Sequence, residues 1–376
     1  MRIVVNDIAA SEGGALSVLQ DFYEYVSNRS GGHEWIFLVG EDGLIQERAH
    51  IKVIVRKGIK RSWLRRLWFE LAGGRGLVNG LCPAAFFSLQ NILTWGVKAR
   101  GVVYVHQAIC YQDRKRFSFF KRQERIYAVY QHILSCLVRS STRRSDAVIV
   151  QTEWAREALA RKDGISKDKI LCVRPRVWAE RLPERNFDPG YFFYPAADIP
   201  YKNHDCIVRA CECLEHAGIT DYRVEFTLAD ENGTAAHSAR RRGARYRGTR
   251  QDRTWYDPAG RIRLIGRIPR EEVFEKYASG TLLFPSYIES FGYPLAEARM
   301  VGTLILAADC TYAHELLDDY ENAYFFDPFD PRALAELMGK VARGEVACRE
   351  VPQLREYGKN GWAKVAEVIE GGGGVS

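Results

Sequence analysis

Short apolar runs alternate with amphipathic stretches along the first half of the chain. Apolar runs of four to seven residues predict strands, and apolar residues that recur every three or four positions predict helices. The predicted strands are residues 2–6, 35–39, 53–55, 86–89, 102–106, 147–151 and 170–173. The predicted helices between them are residues 15–28, 124–138 and 153–161. Strands that alternate with helices indicate βαβ units around a parallel sheet.

The pattern is interrupted by residues 181–190, a polar stretch with two prolines and a glycine that we interpret as a linker. It then resumes, with predicted strands at residues 191–194, 224–228, 262–265, 282–284, 304–307 and 323–326. Predicted helices cover residues 204–217, 271–278, 331–343 and 352–369, and a further helix follows Gly292. The chain is therefore predicted to form two α/β sandwiches in series, with a cleft between them.

The predicted domains follow from this division. Residues 1–183 form a first Rossmann-like domain, residues 184–352 a second one, and residues 353–376 a C-terminal helix with a glycine-rich tail. We expect this helix to pack back toward the first domain. Ligands of open α/β sheets bind beyond the carboxyl ends of the strands, so polar residues at strand ends are the first candidates for a site.

Length and composition fit two domains. The 376 residues, of which 47% are hydrophobic, suffice for two cores, and no apolar run reaches the roughly 18 residues of a spanning helix. The opening residues, MRIVVND, are typical of a strand and lack the apolar region of a signal peptide. The nine cysteines form no CxxC pair and no zinc spacing, which favours free thiols. We expect a cytoplasmic protein.

The net charge of +7 is divided unevenly along the chain. Residues 1–185 have a balance of +13 and residues 186–376 a balance of −6, which suggests different partners for the two halves. Residues 56–70 and 113–125 mix basic with aromatic residues, and at helical spacing the first tract is typical of a segment in a membrane interface. The alternative is half-buried helices with solvated basic faces. We expect peripheral docking on the cytoplasmic face of the inner membrane.

A third basic tract, residues 239–253, contains seven arginines and two glycines. It is compatible with RNA binding, but no stacking motif accompanies it. We interpret it as a solvated loop and predict no nucleic-acid partner.

Residues 285–300, PSYIESFGYPLAEARM, form the most informative stretch. A strand-like run precedes a loop with Glu289, and Gly292 and Pro294 open a helix whose first turn is expected to contain Glu297. Proline at a first helical position costs no hydrogen bond, and free amides at a helix N-terminus bind phosphate. Carboxylates beside a phosphate accept hydrogen bonds from sugar hydroxyls. The stretch predicts a nucleotide-sugar site, although each glutamate alone also fits an exposed loop residue or a partner of the helix dipole.

Other candidates follow predicted strands. Gly13 and Gly14 permit positive φ and close approach of a ligand, but the GxGxxG of dinucleotide folds is absent there. His106 ends a strand, where it can donate to a sugar hydroxyl or move a proton near neutral pH. Lys202 can reach a diphosphate as a point charge, and Arg267 lies in a turn whose backbone can pair with a base edge. Each also fits a structural role, as a tight turn, a satisfied buried histidine or an exposed lysine.

No Asp-x-Asp, GxSxG, HExxH or GxxxxGK[ST] motif occurs in the sequence. A metal–diphosphate bridge therefore has no obvious ligand, and we expect neither a metal nor a cofactor, with the nucleotide sugar as a substrate. The charge of a leaving diphosphate would then be met by the helix start at residues 290–293 and by Lys202.

On these residues the chain resembles glycosyltransferase family 4, retaining enzymes of the GT-B fold, over nearly its whole length. The most specific match is the Glu-x7-Glu motif, Glu289 and Glu297. The resemblance implies an α/β GT-B fold with two Rossmann-like domains facing each other across a cleft. The segment NDIAASEGGALSVL is also similar to rhamnosyltransferases of bacterial surface-polysaccharide assembly.

The resemblance implies roles for the helix-start stretch. Glu297 would bind the ribose hydroxyls of the donor nucleotide, and Glu289 would face the donor sugar as a catalytic residue. Backbone amides of the helix start would surround the sugar and phosphate. The residues of this helix start are Ser290, Phe291, Gly292 and Tyr293.

It also implies roles elsewhere. Gly13 and Gly14 match the family's N-terminal glycine loop, His106 its sugar-contacting histidine, and Lys202 its diphosphate lysine. The family usually has Gly and Arg shortly before that lysine, whereas the stretch here, YPAAD, has no arginine. Either Arg267 or another basic residue substitutes, or donor affinity is weak.

The expected function is that of a retaining glycosyltransferase of the hexosyltransferase type. It would move a sugar from a nucleotide-diphosphate donor on the second domain to a glycan or polyprenyl-diphosphate-linked acceptor on the first, in capsule or O-antigen biosynthesis. A front-face displacement assisted by the leaving phosphate is the expected mechanism. Two alternatives remain open: a nucleotide-sugar epimerase of the same fold, and a nucleic-acid-binding protein that uses residues 239–253.

Overall fold

A computed structural model describes residues 1–10, 13–29, 31–59, 62–229, 244–247, 254–257 and 259–372. The chain divides into two compact units. The first comprises Met1–Phe119, Arg125–Pro175 and Asn360–Ser376, and the second comprises Phe120–Glu124 and Arg176–Lys359.

The first unit is built on a parallel sheet of seven strands with the order β3-β2-β1-β4-β5-β6-β7. The strands are β1 (Arg2–Asp7), β2 (Glu34–Val39), β3 (Ile51–Val55), β4 (Ala85–Ser88), β5 (Arg100–Tyr104), β6 (Ala147–Val150) and β7 (Ile170–Cys172). All residues of β1 after Arg2 are buried. A central parallel strand is covered on both faces, which explains why these strands are apolar runs without alternation.

The helices of the first unit connect these strands. They are α1 (Gly13–Ser27), α2 (Trp63–Trp68), α3 (Gly74–Gly80), α4 (Arg125–Ala128), α5 (Ser135–Arg144) and α6 (Glu153–Leu159). Three of them continue into single π-helical turns, at Phe69–Gly73, Val129–Leu134 and Ala160–Gly164.

The second unit contains a parallel sheet of six strands with the order β13-β10-β9-β14-β15-β16, and two small antiparallel pairs, β8 with β17 and β11 with β12. The strands are β8 (Val177–Trp178), β9 (Tyr191–Tyr194), β10 (Arg223–Phe226), β11 (Ala244–Arg247), β12 (Thr254–Asp257), β13 (Ile262–Leu264), β14 (Thr281–Phe284), β15 (Leu304–Ala308), β16 (Ala323–Phe326) and β17 (Glu356–Tyr357). The helices are α7 (His204–His216), α8 (Arg270–Ser279), α9 (Tyr293–Val301), α10 (Thr311–Leu317) and α11 (Pro331–Ala342).

The predicted linker, residues 181–190, is held by the second unit. The amide of Asn186 donates to the carbonyl of Ala278 at 3.1 Å, and that of Asp188 to Ser279 at 2.8 Å. The second unit also begins earlier than predicted, at Arg176, because β8 pairs with β17 of the same unit.

The final helix, α12 (Trp362–Glu370), begins later than the predicted residue 352. Residues 356–357 form β17 instead, and Gly358 has φ +81°, which no right-handed helix contains. The helix belongs to the first unit, where the ring of Trp362 lies 5.0 Å from that of Phe22. Glu370 forms an ion pair with Arg29, and one of its oxygens lies 3.0 Å from Nη2.

The sequence analysis interpreted the arginine-rich tract, residues 239–253, as a loop. This prediction is wrong for part of the tract. Its residues 244–247 form β11, which pairs with β12. Residues 239–243 and 248–253 lie outside the described residues. Among the described residues, no helix has both the length and the apolar character needed to cross a membrane. No disulfide bond forms among the nine cysteines, all of which lie in the described part of the chain.

Each large sheet has one point where the order of strand addition reverses. In the first sheet this point lies between β1 and β4, and in the second between β9 and β14. The connections that leave two such neighbouring strands diverge to opposite faces, and the crevice between them is where open α/β sheets bind ligands. The candidate residues can therefore be examined at these two positions.

Candidate active site

The start of helix α9 has the geometry of an anion site. Gly292 precedes the helix with φ +92°, a left-handed conformation that favours glycine. Pro294 is the second helical residue and not the first as predicted, but its missing N–H is still one of the four that a helix leaves unpaired. The amides of Phe291 and Gly292 donate to no other group in the described part of the chain. Two N–H groups beside a helix start are thus available to an anion.

Lys202 and Glu289 lie together at the switch point of the second sheet. The Nζ of Lys202 forms an ion pair with the Oε1 of Glu289. Their side chains are 18% and 12% exposed, so both groups are largely withdrawn from solvent. Lys202 follows β9 and Glu289 follows β14, and these strands are neighbours in the sheet. The sequence analysis predicted Lys202 and Glu289 as separate candidates. They lie close together because β9 and β14 are neighbours in the sheet.

Backbone contacts fix the loops that carry this pair. The amide of Tyr287 donates to the carbonyl of Tyr201 at 3.1 Å, and the Oγ of Ser286 donates to the same carbonyl at 3.3 Å. Asn203, which has the left-handed φ of +60°, donates from Nδ2 to the carbonyl of Pro285 at 3.3 Å. The hydroxyl of Tyr194 donates to the carbonyl of Lys202 at 2.8 Å. The two strand-end loops therefore form one braced structure.

Glu297 lies in the second turn of α9, so the prediction that it occupies the first turn was wrong. Its carboxylate is paired with Arg270, whose Nε lies 3.0 Å from Oε1. The hydroxyl of Tyr277 lies 3.5 Å from Oε2. Burial raises the pKa of Glu297, and the charge of Arg270 opposes that rise. Arg270 is a site residue that the sequence analysis missed, because nothing in the run REEVFEKY distinguishes it from an ordinary helix-start arginine.

The remaining predicted residues of the second unit differ in exposure. Arg267 is exposed, follows Gly266 with φ +71°, and has no partner in the described part of the chain. The ring of Phe291 is fully buried and lies 5.2 Å from that of Tyr293. Ser290 is half-buried at the entry to the helix. Arg267 and Arg270 are thus two cations of the second unit outside the stretch YPAAD, which has no arginine.

The glycine pair of the first unit begins helix α1. Gly13 and Gly14 are its first two residues, so neither supplies the positive φ that the sequence analysis allowed for. A Cβ added at Gly14 would meet nothing within 4 Å, which leaves the backbone open to close approach of a ligand. The preceding Ser11 and Glu12 lie outside the described residues.

His106 lies two residues beyond the end of β5 and is held by Asn91. The amide of His106 donates to Oδ1 of Asn91 at 2.7 Å, and Nδ2 of Asn91 lies 3.3 Å from Nε2 of His106. Since an amide nitrogen only donates, Nε2 accepts and the ring proton resides on Nδ1. That Nδ1 is buried and has no partner in the described residues. Burial and, to a smaller extent, the charge of Arg66 lower the pKa of His106 to about 4, so the ring is neutral at pH 7.

The basic tract at residues 56–70 has two different sides. Leu64 and Trp68 are 67% and 65% exposed, in agreement with an outward apolar face. Glu70 at its end is instead 2% exposed, and burial raises its pKa to about 7. Asp7, at the end of β1, is equally buried, and burial also raises its pKa to about 7. Arg66 acts electrostatically on both carboxyl groups.

The second basic tract, residues 113–125, forms no helix before Arg125. Its aromatic residues divide by burial, with Phe117 at 3% exposure, Phe119 at 43% and Phe120 at 93%. The alternative of a half-buried helix is therefore wrong for this tract, which presents apolar rings among basic residues.

Comparison with known proteins shows a similarity that lies mainly in the second unit. Residues 180–361 match the model of the family described as Glycosyl transferases group 1. This region is a little under half of the chain and contains every candidate residue of the second unit. The prediction of a sugar-transferase domain in this half is confirmed by that match.

A curated relative supports the same class. The chain is 32% identical over 190 residues to the O-antigen chain mannosyltransferase B of Escherichia coli. The alignment covers 46% of this chain and 45% of that protein, so the chain spans less than half the length of this relative.

Solved structures extend the likeness to the whole fold. WaaG, a glycosyltransferase involved in lipopolysaccharide biosynthesis, has a TM-score of 0.59 at 14% identity, with 98% of this chain and 100% of WaaG covered. Anabaena HepE, solved in complex with UDP-glucose, has a TM-score of 0.59 at 15% identity, with 92% and 90% covered. At such low identity these likenesses concern the fold alone. They confirm the predicted GT-B fold with two parallel-sheet α/β units.

Proposed function

We propose that this protein is a retaining glycosyltransferase that moves a sugar from a nucleotide-diphosphate donor to a glycan or lipid-linked acceptor, as in glycosyltransferase family 4. The supporting observation is the Lys202–Glu289 pair beside the unpaired amides before α9. A cation, a carboxylate and a helix start meet at the switch point of the second sheet, within the region that matches group 1 glycosyl transferases.

The proposed donor arrangement follows from these charges. The diphosphate binds to the amides of Phe291 and Gly292 and draws Lys202 away from Glu289. Glu289 is then free to accept hydrogen bonds from the hydroxyls of the donor sugar. Glu297, held in place by Arg270, accepts from the ribose hydroxyls. Lys202 and the helix start offset the charge that develops on the leaving diphosphate, so that the reaction needs no metal bridge.

The proposed transfer occurs on one face of the sugar. The bond between the anomeric carbon and the phosphate oxygen breaks, and the acceptor oxygen bonds to the same face of that carbon. The acceptor proton passes to the departing phosphate oxygen, so no protein base is required. Neutral His106 donates from Nδ1 to a sugar hydroxyl and orients it.

Donor binding is tested by thermal unfolding with UDP-glucose, GDP-mannose and dTDP-rhamnose. GDP-mannose tests the sugar named for the curated relative, and dTDP-rhamnose tests the sugar suggested by the N-terminal sequence. A donor at 100 times its Kd stabilises the native state by about 2.7 kcal/mol. Lys202→Met is expected to abolish the rise in Tm, whereas Lys359→Met, which changes an exposed lysine of the same unit, keeps it.

Two outcomes would contradict this proposal. One is the absence of stabilisation by any of the three nucleotide sugars, and the other is full stabilisation of the Lys202→Met variant. Conversion of the donor sugar without acceptor would instead favour the epimerase. The absence of a nucleic-acid partner stays a prediction, since most of the arginine-rich tract lies outside the described residues.

We further propose that the basic segments 56–70 and 113–125 bring the protein to the cytoplasmic face of a membrane, where a polyprenyl-diphosphate-linked acceptor resides. Exposed Trp68 and Phe120 would insert at the headgroup level, and the neighbouring Lys and Arg residues would attract anionic lipid. Flotation with phosphatidylglycerol vesicles is expected to carry the wild type but not the Trp68→Ser/Phe120→Ser double variant. Phe329→Ser, at a half-exposed ring of the second unit, is the control. Equal flotation with purely zwitterionic vesicles would exclude the electrostatic part of this proposal.

A further inference from the structure

A narrow pocket of about 50 Å³ lies beyond the carboxyl ends of β4 and β5 in the first unit. Its polar lining includes Arg66, Glu70, Asn91 and Gln107. The rest of the lining is largely apolar and includes Leu67, Ile92, Tyr130, Leu134 and Val138. A water molecule needs about 10–15 Å³ on this measure, so the pocket admits a few hydroxyl-sized groups. One edge of a sugar ring has this size.

The carboxylate in the pocket retains hydrogen-bonding capacity. Glu70 accepts from Nε2 of Gln90 and from Oγ1 of Thr94, the latter at 2.7 Å. Both partners are neutral, and a carboxylate offers about four lone-pair sites. Burial raises the pKa of Glu70 to about 7, and the positive charge of Arg66 opposes that rise. Glu70 can therefore accept a further hydrogen bond from a ligand.

Two donors in the same lining have no partner. The guanidinium of Arg66 and Nε2 of Gln107 form no hydrogen bond within the described parts of the chain. The side-chain oxygen of Gln107 accepts from the amide of Ile109 at 3.3 Å, which fixes the side chain and leaves its amide nitrogen free. Asn91 holds the adjoining loop with a φ of +67°, an uncommon conformation of the kind found at ligand sites.

This set of groups selects among ligand chemistries. A hydroxyl both donates and accepts, so adjacent hydroxyls can donate to Glu70 and accept from Arg66 or Gln107. A phosphate group only accepts and would be repelled by Glu70. The apolar lining suits the C–H face of a sugar ring. Neutral polyols therefore fit the pocket better than anions.

We propose that this pocket binds the terminal sugar of the acceptor, with Glu70 accepting from one hydroxyl while Arg66 and Gln107 donate to its neighbours. The proposal rests on the glycosyltransferase function and specifies where that enzyme recognises its acceptor. Gln107 and Arg66 are binding residues that determine which acceptor is used.

The test measures binding without a donor, by saturation-transfer NMR with octyl α-mannoside, octyl β-glucoside and octyl α-rhamnoside. Octyl tetraethylene glycol has the same tail without a sugar ring and reports binding through the tail alone. At least one glycoside is expected to bind the wild type, and Gln107→Ala and Arg66→Met are each expected to weaken it about tenfold. Gln46→Ala removes an exposed glutamine of the same unit and should bind like the wild type.

Nucleotide binding, measured on the same variants, separates this proposal from the proposed function. The pocket variants should bind nucleotide normally, since neither side chain belongs to the second unit. The pocket proposal is overturned if no glycoside binds better than octyl tetraethylene glycol, if both pocket variants bind like Gln46→Ala, or if inorganic phosphate competes with the glycosides. Failure of nucleotide binding in the wild type would instead count against the donor site.

Discussion

The ion pair between Lys202 and Glu289 gives a prediction that distinguishes a binding role from a structural one. In the structure, Glu289 forms an ion pair with Lys202, the cation that is proposed to bind the donor diphosphate. A bare nucleoside diphosphate must then compete with Glu289 for Lys202, and it has no sugar to engage the released carboxylate. Glu289→Gln removes the competing charge and keeps the shape of the side chain.

The expected gain in affinity for the nucleoside diphosphate follows from the burial of the Lys202–Glu289 pair. Both side chains are less than one-fifth exposed, so solvent screens their attraction only in part. A hydrogen bond to a charged group contributes about 1.5–3 kcal/mol, and the amide oxygen of glutamine retains part of it. A gain of about 1.4 kcal/mol corresponds to about tenfold tighter binding of the nucleoside diphosphate. Sugar transfer should nevertheless fall in Glu289→Gln, because the charged acceptor of the donor-sugar hydroxyls is lost.

Titration calorimetry with UDP and GDP measures this directly. Glu289→Gln should bind the nucleotide preferred by the wild type more tightly, and Lys202→Met should bind it more weakly. Glu275→Gln, at an exposed glutamate of α8, is the matched control and should leave the affinity unchanged. If Glu289→Gln weakened nucleotide binding as much as Lys202→Met, the pair would be a unit that orders the loops, and the competition described here would be wrong.

Three further predictions concern stability. Gly292→Ala should lower the free energy of unfolding by about 1–2 kcal/mol because of its positive φ, whereas Gly14→Ala in α1 should not; equal losses in urea unfolding would contradict the strain argument. Burial raises the pKa of Asp7 from 3.8 to about 7, so the folded state holds an extra proton between these values and wild-type stability falls as pH rises. The free energy of unfolding of Asp7→Asn, relative to that of the wild type, should therefore rise by about 4 kcal/mol from pH 4 to pH 8. A difference that does not depend on pH would refute this. Desolvation lowers the pKa of His314, but hydrogen bonds to Asp318 and Asp309 outweigh it and raise that pKa. The resulting stabilisation is present below the pKa that His314 has in the unfolded state, and it is lost as the pH rises through the pKa that His314 has in the folded state. His314→Gln should therefore lower Tm more at pH 6 than at pH 9.

Most strands could be predicted from the sequence because burial on both faces leaves a strong local signal. β9 and β16 have the predicted bounds, and β14 and β15 differ by a single residue. The start of α12 was predicted too early, although Gly358 and the pair Asn360–Gly361 are local signals against a helix. The strand that forms there instead depends on a distant partner. Pairing of β17 with β8 joins residues far apart in the sequence, and only the folded chain brings them together.

The candidate site was predictable residue by residue but not as an arrangement. Lys202 and Glu289 each follow a strand, and strand ends are the general position of ligands in such sheets. Their contact depends on β9 and β14 being neighbours, which the order along the chain does not reveal. Glu70 was hidden for a different reason, because it ends a tract whose other charged residues are all basic. Its burial arises from tertiary contacts with Gln90 and Thr94.

The two candidate sites also show how one topology supports two kinds of recognition. Lys202 and Glu289 form a partly exposed pair of full charges, and an anion can replace the carboxylate as partner of the lysine. Glu70 accepts from the neutral donors Gln90 and Thr94, so an anion placed beside it would be repelled by the carboxylate whenever Glu70 is ionised. A hydroxyl carries no charge and therefore avoids this repulsion. The second sheet is thus suited to a diphosphate and the first to a polyol, although both sites lie beyond the carboxyl ends of parallel strands.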